Sequence, residues 1–222
     1  MNSTNVKLTP MKKAMVKQMV RSLEIPQFQI ETEVDCGKLM TLRKTVDYKP
    51  SVTTVLAKAV AVVLKNHPML NSSFVDVANV AIHDTIGLGI AADTPKGLVV
   101  PVIHNAGELS LKEFHDKMGI IKEKSQKGNF AMEDLMDGTF TISNLGMFNV
   151  TSFKAIVNSP QTAILALSKI VEKPVICNGE MKAARIMKLS LSADHRVIDG
   201  AGGARFMSDL AELIENPEPL FE

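Results

Sequence analysis

The stretch that decides the fold is Leu189–Gly203, which reads LSLSADHRVIDGAGG. Leucine alternates with serine until the run ends in Asp194-His195-Arg196, and Asp199-Gly200 with a tail of small residues follows. Alternation with a period of two is typical of a β-strand that buries one face. A buried strand fixes the direction of the groups at its end, so the pattern predicts that His195 is presented as a candidate base.

The segments on either side predict a single α/β domain over residues 1–222, with a flexible start at residues 1–8. Apolar residues with helical spacing predict helices over residues 10–23, 38–44, 51–64, 111–126, 132–136 and 202–214. Alternating or short apolar runs predict strands over residues 28–34, 73–75, 80–83, 86–92, 98–103, 139–143, 163–168, 175–177 and 186–192. Because the strands come in runs, we expect an α+β two-layer fold whose mixed, largely antiparallel sheet carries the helices.

Composition excludes several classes of function. A formal charge of +1 gives no general electrostatic reason to bind nucleic acid or an anionic membrane. There is no Trp and only one Tyr, so a platform on which bases could stack is hard to build. Two cysteines are too few for a disulfide framework, and no apolar run is long enough for a membrane span. We therefore expect a soluble chain in a reducing compartment, with the bacterial cytoplasm favoured and the mitochondrial matrix or a plastid also open.

His195 and Asp199 form an H-x-x-x-D pair beside a glycine-rich segment. A lone histidine is more often structural, but a base at the end of an apolar strand is poorly explained by packing. Asp199 could hold the loop through an ion pair with a basic side chain, or it could orient the imidazole, and the sequence leaves both open.

Other site chemistries find little support. The pair offers at most two metal ligands, so no metal site is predicted. A serine hydrolase would need a G-x-S-x-G elbow, which is absent from the sequence. Gly87-Leu88-Gly89 lacks the later glycine and lysine of a phosphate-binding loop and is better read as part of a strand.

A second candidate is the run from Thr139 to Gly146, TFTISNLG, in which hydroxyl side chains alternate along one face of a predicted strand. Threonine and serine also simply suit a strand. In a functional interpretation, Ser143 at the strand's end donates a hydrogen bond to a developing oxyanion.

Four motifs together resemble one family. DHRVIDG, TFTISNLGMF, DTPKGLVVPVI and NHPMLNSSF are similar to segments of the catalytic domain of dihydrolipoyl acyltransferases, the transacylases of 2-oxoacid dehydrogenase complexes. The likeness runs from about Leu8 to Leu220. H-x-x-x-D-G alone would be less specific, since chloramphenicol acetyltransferases and peptide-synthetase condensation domains carry similar motifs.

The resemblance implies a chloramphenicol-acetyltransferase-like fold and transfer of an acyl group between dihydrolipoamide and coenzyme A. It implies a homotrimer, possibly assembled into a 24-mer or 60-mer, with a lipoyl domain, a decarboxylase and a dihydrolipoamide dehydrogenase as partners. His195 would be the general base, Ser143 of a neighbouring chain the oxyanion donor and Asp199 a supporting carboxylate. The cofactor-binding residues implied are Asp93, Thr94, Gly97, Leu98, Asn144, Leu145 and Gly146.

Some features depart from the family pattern. Lys12 and Gln18 stand where arginines are usual in the first helix, and Asn149 stands where glycine is commoner. We expect no lipoyl domain and no peripheral-subunit-binding domain in this chain, so the lipoyl group would come from another domain or chain. Acetyl is favoured over branched-chain or succinyl groups. A non-catalytic core protein, or an acetyltransferase with a diffusible acceptor, is the alternative.

Overall fold

The computed structural model describes residues 3–222, so residues 1 and 2 of the predicted flexible start lie outside it. Residues 3–9 are exposed and form no helix or strand. The helices are α1 (Pro10–Ser22), α2 (Gly37–Leu42), α3 (Val52–Leu64), α4 (Leu111–Lys127) and α5 (Gly200–Glu215). The strands are β1 (Gln27–Asp35), β2 (Ser72–Phe74), β3 (Val80–Ile82), β4 (Leu88–Ile90), β5 (Val102–Ile103), β6 (Phe140–Asn144), β7 (Ala163–Leu167), β8 (Val171–Cys177) and β9 (Glu180–Asp194).

Strand β9 organises a seven-stranded sheet in the order β1-β9-β7-β6-β4-β5. Its second half lies between β1 and β7, with Leu191 opposite Ile30 on one side and Leu165 on the other. Its first half forms a hairpin with β8. Among the strands of residues 3–222, the β4–β6 and β6–β7 pairs are parallel and the other pairs are antiparallel. The predicted mixed, largely antiparallel sheet is confirmed.

The helices form the second layer. The most apolar helix, α3, packs against α4 and α5, and α5 lies across β1. A Cβ built on Gly203 would lie 2.7 Å from Ile30 Cδ1, so glycine allows α5 to approach the sheet closely. Fully buried Phe140 and Phe206 pack between the sheet and the helices, with ring centroids 5.9 Å apart.

Local signals at turns and caps predicted the structure well. Ser110 and Glu113 form the expected capping box at the start of α4. Asn178 and Gly179 both adopt positive φ, 54° and 82°, as the two-residue turn of the β8–β9 hairpin requires.

One predicted element is wrong, and another is shorter than predicted. Residues 132–136 form turns instead of a helix, because the Asp134 carboxylate accepts hydrogen bonds from Ala131 N and Lys124 Nζ while its carbonyl accepts from Val102 N. The strand predicted over residues 98–103 is reduced to Val102–Ile103. Pro101 has no N–H to donate there, which limits the ladder beside it.

From residue 3 to the C-terminus, the helices are too short or too polar to cross a membrane.

The core predicts a contrast between two valines. Val34 in β1 is fully buried, whereas Val77 beyond β2 is fully exposed. Val34→Ala should lower the free energy of unfolding by about 2 kcal/mol, since two buried methyl groups are lost. Val77→Ala should change it by less than about 0.5 kcal/mol. Urea denaturation of both variants measures the difference, and equal losses would contradict the assigned core.

Candidate active site

His195 lies in the tight turn that follows β9. Its backbone N–H donates to the carbonyl of Pro26 at 3.0 Å, which ties the turn to the start of β1. Its ring packs on Phe28, with centroids 4.4 Å apart, and the residue is exposed on its other side. An imidazole held against an aromatic ring and open to solvent can exchange a proton with a bound substrate.

Asp199 is the N-cap of α5. Its carboxylate accepts from Gly202 N at 2.5 Å, and its carbonyl accepts from Gly203 N. The sequence left two roles open for Asp199, an ion pair with a basic side chain or a contact with the imidazole. In the structure its carboxylate caps α5 instead. The ion pairs formed within residues 3–222 do not include Lys12.

Ser143 is the second-last residue of β6 and is half-buried. Beyond it, the Asn144 side chain donates to Thr53 Oγ1 at 2.9 Å and accepts from Gly146 N at 2.8 Å, closing the turn that contains Leu145. A Cβ on Gly146 would lie 2.8 Å from the carbonyl oxygen of Ser168, so this turn requires glycine. The chain after Ser143 is therefore held rigidly.

The predicted turn at residues 93–97 reaches the same edge of the sheet. The Thr94 hydroxyl donates to the carbonyl of Gly97 at 2.7 Å, and Gly97 has a φ of 125°. Since β4 and β6 are parallel, with Ile90 opposite Ile142, the chain after β4 emerges beside Ser143. The structure thus places two groups of predicted binding residues at one edge of the sheet: Asp93, Thr94, Gly97 and Leu98 beyond the end of β4, and Asn144, Leu145 and Gly146 at the end of β6.

Asn149 ends the short 3-10 helix beyond Gly146 in the left-handed region, with φ of 62°. Asparagine tolerates this conformation better than most residues, so the backbone that glycine would allow is preserved. Its side chain also accepts a hydrogen bond from Lys169.

His195 and Ser143 do not meet within one chain. Ser143 lies opposite Ala166 of β7, and Ala166 lies opposite Ser190 of β9. His195 is five residues beyond Ser190 and two strands away from β6. At about 3.3 Å per residue and about 4.8 Å per strand, the two residues are about 19 Å apart, on opposite edges of the sheet.

A cleft of about 400 Å³ opens beside the His195 turn, between α5 and the loop that follows α3. Its lining includes His67, Met69, Val197, Asp199 and Arg205. His67 is fixed by a 2.8 Å contact between its Nε2 and Asp209 Oδ2, and its ring packs edge-on against Phe206. The cleft therefore opens on the side of the molecule that carries the His195 turn.

Neither of the two cysteines lies in a position that would make it a catalytic nucleophile of the candidate site. Burial raises the pKa of the Cys36 thiol to about 12, with a smaller contribution from the nearby Asp35 and Glu215 carboxylates. It therefore stays protonated, whereas Cys177 is exposed in the β8–β9 hairpin. Across residues 3–222, no group of three His, Cys, Asp or Glu side chains has the spacing of a metal site.

The family model for the acyltransferase (catalytic domain) of 2-oxoacid dehydrogenases matches residues 1–222. The chain belongs to this family. The acetyltransferase component of the Staphylococcus epidermidis pyruvate dehydrogenase complex is 37% identical over 226 residues, which is 98% of this chain and 52% of that protein. This acyltransferase domain therefore spans about half the length of the curated relatives it matches.

Solved structures agree with the family. The cubic core of a pyruvate dehydrogenase multienzyme complex superposes on this acyltransferase domain with a TM-score of 0.92, at 32% identity, covering 100% of this chain and 95% of that chain. Azotobacter vinelandii dihydrolipoamide acetyltransferase gives the same TM-score and coverage at 31% identity. That structure concerns the role of one serine, one histidine and one asparagine in its catalytic mechanism. A chloramphenicol acetyltransferase with 15% identity and a TM-score of 0.62 shares the fold, which confirms the predicted fold type.

Two residues that contact the candidate site residues, Phe28 and Thr53, were not indicated by the sequence. Phe28 and Thr53 are far from their partners along the chain, and neither lies in a motif with chemical meaning. For Phe28, the alternation of β1 was the one available signal, because it placed this side chain on a half-buried face.

The cap at Asp199 predicts different effects for two substitutions. Asp199→Ala should lower the free energy of unfolding by about 1 kcal/mol, since the N-cap acceptor of α5 is lost. Asp199→Asn should leave stability nearly unchanged, because asparagine caps about as well as aspartate. Chemical denaturation monitored by circular dichroism compares the two variants. Equal destabilisation would show that the charge of Asp199, and not its cap, supports the fold.

Proposed function

We propose that this domain transfers an acetyl group between the thiol of dihydrolipoamide and coenzyme A. One observation carries the proposal. In the Azotobacter enzyme, the histidine follows the serine by 52 residues and the asparagine follows the histidine by four. His195 follows Ser143 and Asp199 follows His195 by the same intervals, on a backbone that superposes closely. Ser143 and His195 are accordingly the proposed catalytic residues, and Asp199 is proposed as the support of the His195 loop.

The reaction follows from these two groups. A thiol with a pKa near about 8.5 is mostly protonated at neutral pH, so His195 raises the thiolate fraction by accepting its proton. The thiolate attacks the thioester carbonyl, and the Ser143 hydroxyl donates a hydrogen bond to the oxyanion that develops. Collapse of the tetrahedral intermediate breaks the original C–S bond, and the departing sulfur takes the proton back from His195. No covalent bond to the protein is needed.

We further propose that each site lies between two chains. A base and an oxyanion donor must both lie within hydrogen-bonding distance of the reacting atoms, and about 19 Å separates His195 from Ser143 in one chain. A cyclic trimer in which the His195 edge of one chain faces the Ser143 edge of the next would close the site. The residues around Asp93 and Asn144 would then bind a substrate arm from the Ser143 side.

The proposed setting is the core of a pyruvate dehydrogenase complex, in line with the relatives' names. Its partners would be a lipoyl domain, which carries the dihydrolipoyl group, and the decarboxylase and dihydrolipoamide dehydrogenase components. Coenzyme A is the second substrate, and none of the proposed steps involves a metal.

His195→Ala tests the base. It should lower kcat for transfer from acetyl-CoA to dihydrolipoamide by about 100- to 10,000-fold, because the thiol loses its proton acceptor. The oligomer mass should be unchanged. Steady-state formation of the new thioester measures the rate, with exposed His104→Ala as a matched control that keeps normal turnover.

Three outcomes would contradict the proposal. Normal turnover by His195→Ala would remove the catalytic assignment. A wild-type oligomer that transfers no acyl group would indicate a structural core protein, and preference for a small amine or alcohol over dihydrolipoamide would indicate a diffusible acceptor.

A mixture of two inactive variants tests the shared site. Ser143→Ala should cost about 100-fold in kcat. If Ser143→Ala and His195→Ala chains are unfolded and reassembled in equal amounts, about a quarter of the interfaces in random trimers join an intact His195 to an intact Ser143. Turnover should therefore recover to about a quarter of the wild-type rate. Mixing without reassembly is the control, and no recovery after verified exchange would contradict a site between chains.

A further inference from the structure

The turn that carries His195 is closed by an ion pair between the residues on either side of it. Asp194 is almost completely buried, with its side chain 1% exposed, whereas the Arg196 side chain is 33% exposed. Arg196 donates from Nε at 2.9 Å to Oδ1 of Asp194 and from Nη2 at 2.7 Å to Oδ2. Two parallel hydrogen bonds of this kind fix the guanidinium in one plane.

The backbone of the turn depends on the same aspartate. The Asp194 carboxylate also accepts from the backbone N–H of Arg196 at 3.0 Å. Its carbonyl accepts from the N–H groups of Val197 and Ile198, and its own N–H donates to the carbonyl of Thr162. Asp194 therefore connects the end of β9 to the next four residues and leaves little freedom for His195 between them.

The Arg196 guanidinium also packs against a residue of β2. Its Cζ lies 3.7 Å from the centre of the Phe74 ring, at the end of β2. A guanidinium stacked on an aromatic face gains cation–π attraction while its edge remains free for hydrogen bonds. The hydrogen bonds to Asp194 also raise the pKa of the Arg196 guanidinium, so it stays charged.

We propose that Asp194, Arg196 and Phe74 form a turn clamp that positions His195 for proton transfer. The inference rests on the proposed function of His195. Arg196 and Phe74 are positioning residues, because they act through the placement of the imidazole. A misplacement of about 1 Å at a catalytic group can cost about 100-fold in rate, so the clamp has a measurable effect on turnover.

The most selective test is Arg196→Lys in the oligomeric domain. Lysine preserves the positive charge beside the buried carboxylate, which protects folding, but it cannot form the two-pronged contact or stack as a plane. We expect kcat for acetyl transfer to fall at least about tenfold, with the KM values for acetyl-CoA and dihydrolipoamide within about twofold of wild type. The matched control is Lys173→Arg, which also exchanges lysine and arginine in an ion pair, here the half-exposed pair with Glu33. It should leave kcat unchanged.

A double-mutant cycle separates positioning from a general structural role. In a His195→Ala background, Arg196→Lys should cause no further loss of residual turnover, because its effect passes through the missing imidazole. Losses that multiply in the double variant would overturn the clamp, as would a folded Arg196→Lys enzyme with kcat within twofold of wild type.

Phe74→Leu provides the second variant if Arg196→Lys does not fold. It leaves the ion pair intact and removes the aromatic face, so kcat should fall about threefold at unchanged KM. Unchanged kcat in this variant would overturn the clamp. A wild-type chain without acyl transfer would instead overturn the proposed function, so the two failures can be told apart.

Discussion

The pairing of β9 with β1 on one side and β7 on the other is the interaction on which the rest of the structure depends. It buries Leu189, Leu191 and Ala193 completely. The strand ends at Asp194, so His195 is the first residue beyond the sheet. It also fixes the start of α5, since the turn after β9 leads directly into the Asp199 cap. A register shift of one residue would turn the buried leucines to the opposite face, so the position of the candidate base is specified by core packing.

The same sheet sets the distance between the two candidate catalytic groups. Because β7 runs parallel to β6 but antiparallel to β9, the carboxyl ends of β6 and β9 point to opposite edges. No side-chain movement can close a gap of about 19 Å. Exposed apolar residues near the Ser143 edge, namely Leu98, Met147 and Phe148, are the kind of surface that a neighbouring chain would cover. In the proposed trimer, each chain would supply the His195 half of one site and the Ser143 half of another.

The sequence predicted those parts of the fold that depend on local signals. The alternation in β9, the Asn178-Gly179 turn and the Ser110 capping box are each determined within a few residues. The segment at residues 132–136 was misread because Asp134 binds Lys124 and Val102, which are distant from it along the chain. The same reason applies to the site: Asn144 pairs with Thr53 across 91 positions, and no pattern in one sequence indicates such a contact.

The structure also changes the chemical meaning of Asp199. Read as a sequence, an acidic residue four positions after a histidine suggests a charge that acts on the imidazole. In the folded chain, its carboxylate is engaged by the first turn of α5, where the helix dipole favours negative charge. Asparagine can make the same N-cap hydrogen bond, so the cap geometry by itself calls for an acceptor and not for a charge. The two charges next to His195 along the chain belong instead to the buried Asp194 and to Arg196, which form an ion pair with each other. The imidazole is therefore placed by an ion pair between the residues on either side of it in the chain and by packing on Phe28.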